Sequence, residues 1–69
     1  MNKIQRLDRL VRKIDTLHLE LVQAVDGNSE TEDPSERAGV ELIRAGLGLV
    51  ASGRNSLRGR LIEYMQEAR

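Results

Sequence analysis

The chain contains no cysteine, no phenylalanine and no tryptophan, and has only one histidine, one tyrosine and one proline among its 69 residues. Without cysteine, neither a disulfide framework nor a thiolate metal site can reinforce a small fold. Without Phe or Trp there is no stacking platform for single-stranded nucleic acid. The 11 basic residues are balanced by 11 acidic ones, so the positive excess of a strongly DNA-binding domain is missing too. No long hydrophobic run exists: the stretch from Ala38 to Gly53 is interrupted by Glu41 and Arg44 and is shorter than the ~20 apolar residues that span a bilayer. Near the N-terminus, Arg6, Asp8, Arg9, Arg12 and Lys13 break up the apolar core that a secretory signal requires. These absences predict a cytoplasmic chain with no membrane span.

What is present is aliphatic and charged, with 39% hydrophobic and 32% charged residues. A chain of this size gains only a few kcal/mol from a single core, and with disulfides and thiolate metals excluded, oligomerisation is the remaining common reinforcement. Acidic charge gathers in the middle, where Asp26, Glu30, Glu32, Asp33, Glu36 and Glu41 face Arg37 alone. Such a cluster reads as a solvated connection.

Ile4, Leu7, Val11, Ile14, His18, Leu21 and Val25 fall on alternating three- and four-residue steps, which is the seam of an amphipathic helix. Leu10, Leu17 and Ala24 widen that seam on one side, and a widened face touches two neighbours instead of one. Asn2 with Gln5 predicts a capping box, and Gly27 suits a left-handed C-terminal cap, placing helix 1 near residues 3–26. Asp33 as N-cap, Pro34 at the first helical position and Glu36 reaching back predict the start of helix 2. The short acidic connection 27–33 predicts an antiparallel hairpin.

A second seam runs through Val40, Ile43, Leu47, Val50, Arg54, Leu57, Leu61, Tyr64 and Ala68, with Leu42, Leu49 and Ile62 outside it. The segment 40–51 is therefore apolar nearly all round, as in the centre of an assembly. Gly39, Gly46, Gly48, Gly53 and Gly59 lie inside this helix, each costing about 1 kcal/mol relative to alanine. Ala45, Gly48, Ser52, Ser56 and Gly59 form a small-residue ridge that lets another helix approach. The expected fold is all-α: a helical hairpin that dimerises into a four-helix bundle around helix 2, spanning about 34–68. The alternative is a break near Gly53, with Asn55 or Ser56 capping a third helix. Helix 1 comes to about 36 Å and an unbroken helix 2 to about 52 Å. One third of helix 2 then lacks a partner in its own hairpin, and Leu57, Leu61, Ile62, Tyr64 and Met65 are expected on a second subunit or in a folded-back third helix.

Chemistry-bearing residues are sparse. His18 lies on an apolar seam and is followed by Leu19-Glu20-Leu21-Val22, with no basic or small neighbour of the kind that serves a phosphate-accepting histidine. It reads as a structural histidine that sets helix register or senses pH at an interface. Asp15, the one carboxylate spaced to join it in holding a metal, is expected to face water, and the acids of the connection have no apolar pocket to raise a pKa. Gly46-Leu47-Gly48 lacks the preceding strand and the Gly-Lys-Ser/Thr ending of a phosphate loop. No enzyme activity, cofactor or metal is expected. The function that fits is a protein–protein interaction module acting as regulator, adaptor or chaperone. Its partner or dimer interface is expected at Leu47, Val50, Arg54, Leu57, Arg58, Leu61, Tyr64 and Met65, with the seam residue Arg54 meeting a carboxylate from a symmetric partner. The alternative is a dimeric nucleic-acid-binding regulator using arginines of both helices.

Overall fold

The computed structural model describes residues 2–27 and 30–68. Among them the chain forms two helices and no strand: α1 spans Lys3–Gly27 and α2 spans Pro34–Glu67. The two pack against each other in a hairpin, a rod of 55 × 15 × 14 Å. Its radius of gyration is 16.0 Å, against about 11 Å for a compact chain of this length.

The helix starts follow from side chains that satisfy otherwise orphaned amides. At α1, Gln5 N donates to Asn2 Oδ1 (2.8 Å) and Asn2 N to Gln5 Oε1 (3.4 Å), which is the reciprocal capping box. At α2, Asp33 Oδ1 accepts from Ser35 N (2.8 Å) and Glu36 N (3.2 Å). Glu36 does not reach back to the Asp33 amide as the sequence suggests. That amide donates to Thr31 Oγ1 (3.2 Å), and the Thr31 hydroxyl donates to Glu36, so threonine relays the box. Removing the cap in Asp33→Ala is expected to destabilise the chain by about 1 kcal/mol. Thermal unfolding followed by circular dichroism should show this as a lowering of the midpoint by about 4–8 °C; an unchanged midpoint would mean that the cap is idle.

Two local expectations are corrected. Gly27 is the last residue of α1 and has no positive φ, so the left-handed cap is not at this glycine; any stop beyond it falls outside the described residues. α2 is continuous through Ser52–Asn55, which removes the three-helix alternative with a break near Gly53. The helix continues there because Arg54, Leu57 and Leu61 stay in phase with α1, and that packing offsets the cost of a helical glycine.

The stagger of the helices also differs from expectation. Lys3 Nζ lies 3.7 Å from Glu67 and 4.2 Å from the Tyr64 ring centroid, so the C-terminal end of α2 reaches the N-terminal end of α1. At the other end Arg44 lies 3.9 Å from Asp26. The surplus length of α2 is therefore its first two turns, not the segment from Leu57 to Met65. The connection accounts for this because it lies along those turns, where Arg37 Nη2 donates to the Thr31 carbonyl (3.1 Å). Leu57, Leu61 and Tyr64 are consequently occupied by α1.

Candidate functional site

The hairpin buries little. Val11 and Val25 of α1 and Leu47 and Leu61 of α2 are its only buried hydrophobics among the described residues. Between them the seam carries polar groups. His18 Nε2 lies 3.2 Å from the Leu47 carbonyl oxygen, a contact that requires a proton on that nitrogen. Arg54 Nη1 donates to Asp15 Oδ1 at 3.0 Å. Both expectations for this pair are corrected: Asp15 does not simply face water, and the carboxylate that meets Arg54 comes from the same hairpin. The reason is phase: Asp15 and His18 are about one turn apart on α1 and Leu47 and Arg54 two turns apart on α2, so each pair lies on one side of its helix, and the long Arg54 side chain spans the remaining offset.

The seam divides the surface into two sides. One is charged, with a shallow cleft lined by Asp8, Arg12, Asp15, Arg58, Leu61, Ile62 and Met65. Arg12 there pairs with Asp8 at 3.0 Å. The other side begins at a cleft lined by Leu7 and Leu10 of α1 and Leu57 and Tyr64 of α2, rimmed by Arg6 and Arg60. Arg60 stands 4.5 Å from the Tyr64 ring centroid, and its pKa is raised, first by the hydrogen bond to Glu63 and then by Tyr64. Heptad spacing carries this second side along the rod: Leu10 and Leu17 on one flank of α1, with Leu21 beside them, and Gly39, Gly46 and Gly53 on the adjacent flank of α2. Ile43 and Val50 lie between, and Leu42 and Leu49 form the outer edge. All seven of these larger side chains are exposed, Leu42 and Leu49 most of all at 74% and 76%.

The residues expected at the interface do not converge on one patch. Leu47 and Leu61 are buried inside the hairpin at 8% and 7% exposure. Arg54 is held by Asp15, and Leu57 and Tyr64 are half-buried against α1. Val50 is exposed on the apolar side, while Met65 and Arg58 line the charged one. The sequence already places Leu42 and Leu49 outside the seam, in a segment too apolar for one hairpin to cover, but the expected interface omitted them and Ile43, and their continuity with Leu10, Leu17 and Leu21 was not legible. The available signal was the seven-residue recurrence of Gly39, Gly46 and Gly53 interleaved with Leu42 and Leu49.

Those glycines have no steric cause within the hairpin. A Cβ built at Gly39, Gly46 or Gly53 meets nothing within 4 Å, although each glycine costs the helix about 1 kcal/mol. Among the described residues there is no group of three or more His, Cys, Asp or Glu side chains that could hold a metal. No described helix is long and apolar enough to cross a membrane. Four arginines, Arg12, Arg44, Arg54 and Arg60, lie beside carboxylates of the same chain. No protein-family model, curated protein or solved structure matches the chain.

Proposed function

We propose that this chain is a small non-catalytic interaction module of the cytoplasm, a regulator, adaptor or chaperone that binds protein through helical surface and assembles with itself into a four-helix bundle. The observation that carries this reading is the apolar side of the hairpin, where Leu10, Leu17, Leu21, Leu42, Ile43, Leu49 and Val50 are all exposed. An exposed patch of that extent on a rod with four buried side chains among the described residues supports an interaction site. Further support comes from the arginines beside carboxylates of their own chain, which leaves them less available to phosphates.

The test is solution mass by light scattering over a concentration series, with helicity read on the same samples. The expected result is an oligomer whose helicity falls together with its mass on dilution. A poorly helical monomer would support the module with a different protein as partner. A fully helical, stable monomer indifferent to lysine at Leu42 and Leu49 would overturn it, because the apolar side would then need no cover.

A further inference from the structure

Between Ala38 and Ser56 the strip of α2 that runs through Gly39, Leu42, Gly46, Leu49 and Gly53, with Ala38, Ala45, Ser52 and Ser56 beside it, carries no charged side chain, and Glu41 lies at its far edge. This strip runs about 30 Å at 1.5 Å per residue. Surface helices ordinarily place lysine and glutamate at such positions. Along it the order is Gly39, Leu42, Gly46, Leu49, Gly53, a regular alternation of notch and knob, and the notches are open because nothing in the hairpin approaches them.

We propose that this strip is the docking surface for α2 of a second copy of the chain. The two α2 helices run antiparallel, so that Leu42 and Leu49 of each copy lie over Gly53 and Gly46 of the other. The inference rests on the interaction-module reading above and gives it a surface, an occupant and an order.

Three observations select a second copy. The first is area: the chain exposes 5536 Å², whereas a compact monomer of its mass exposes about 4,400 Å². The surplus of about 1,100 Å² exceeds the ~800 Å² per partner of a standard stable interface. The second is self-complementarity. An antiparallel pair sets every leucine against a glycine and keeps the two axes evenly spaced, while a parallel pair stacks leucine on leucine and glycine on glycine. The third is net charge: around the entry to α2, Glu30, Glu32, Asp33, Glu36 and Glu41 outweigh Arg37, whereas toward its exit Arg54, Arg58 and Arg60 outnumber Glu63 and Glu67. Antiparallel order brings acid beside base, and parallel order brings like beside like.

The experiment reads mass across concentration for the wild type, Gly46→Ala and Leu49→Glu, with helicity on each sample. The wild type is expected to have the mass of two chains. Each variant is expected to raise the dissociation constant by about tenfold or more, because a methyl fills the notch or a charge enters the dry strip. Gly46→Ala keeps or gains helicity as it loses mass, since its methyl meets nothing in its own hairpin. Order is read with introduced cysteines, as the native chain has none. Leu42→Cys mixed with Gly53→Cys should cross-link, and Leu42→Cys alone should not, its two copies lying beyond the ~7 Å Cα separation that a disulfide spans.

A dimer unaffected by either substitution would overturn this surface while leaving the module reading intact. An incompletely helical monomer up to about 1 mM would overturn the second copy as occupant and leave that reading with another protein. Self-cross-linking of Leu42→Cys would overturn the antiparallel order.

Discussion

Replacing Ser56 with proline is expected to cost the hairpin about 3 kcal/mol or more, enough to unfold much of a chain in which four side chains are buried among the described residues. Ser56 lies in the interior of α2, and its hydroxyl donates to the Ser52 carbonyl at 3.3 Å. Proline there removes the amide that bonds back to Ser52, and its ring collides with that carbonyl. The comparison is sharp because the alternative architecture predicts the opposite. If a third helix began with Asn55 as its cap, residue 56 would be its first position, where proline is favoured and no amide is needed. Ser56→Ala is the control, since the side chain is exposed and its loss should change stability by no more than about 0.5 kcal/mol. Urea titration followed by circular dichroism reads both variants. A proline variant as stable as the alanine variant would mean that α2 is broken near Gly53.

The continuity of α2 shows where sequence is informative and where it is not. The starts of both helices were legible because a cap is a local event: Asn2 with Gln5, and Asp33 with Pro34, act within four residues of one another. The phase of Val11, His18, Leu47 and Leu61 was equally legible, since a seam is a periodicity. The stagger was not, because it depends on the path of the connection. Thr31 packs that connection against Glu36 and Arg37, and no propensity encodes this. Once the stagger is known, Asp15 falls opposite Arg54 and the arginine needs no carboxylate from another chain. The same shift moves Leu57, Leu61 and Tyr64 from a presumed interface into the hairpin and leaves Leu42 and Leu49 outside it. The glycines were visible from the start, but their cost could be interpreted only after the space around each was seen to be empty.

Leu47 and Leu49 lie two residues apart on one helix, and truncating each to alanine should have different consequences. Leu47 is 8% exposed and lies in the seam, its carbonyl against His18, so Leu47→Ala removes buried methyl groups and opens a cavity. The expected loss is about 2–3 kcal/mol, the lower part of the usual range because the two-helix core is thin and its surroundings can relax. Because the lost contacts lie within one chain, that loss should be present at every protein concentration. Leu49 is 76% exposed in the hairpin, so Leu49→Ala should leave the isolated hairpin within about 0.5 kcal/mol of the wild type. Its effect should appear through mass action: where wild-type melting temperature rises with concentration, the variant's should rise less, and the gap between them should widen as concentration increases. Thermal melts over a hundredfold range of concentration separate the two behaviours. Parallel, concentration-independent losses for both would place Leu49 in the same core as Leu47, a result incompatible with the exposed side of α2 that the two glycine notches flank.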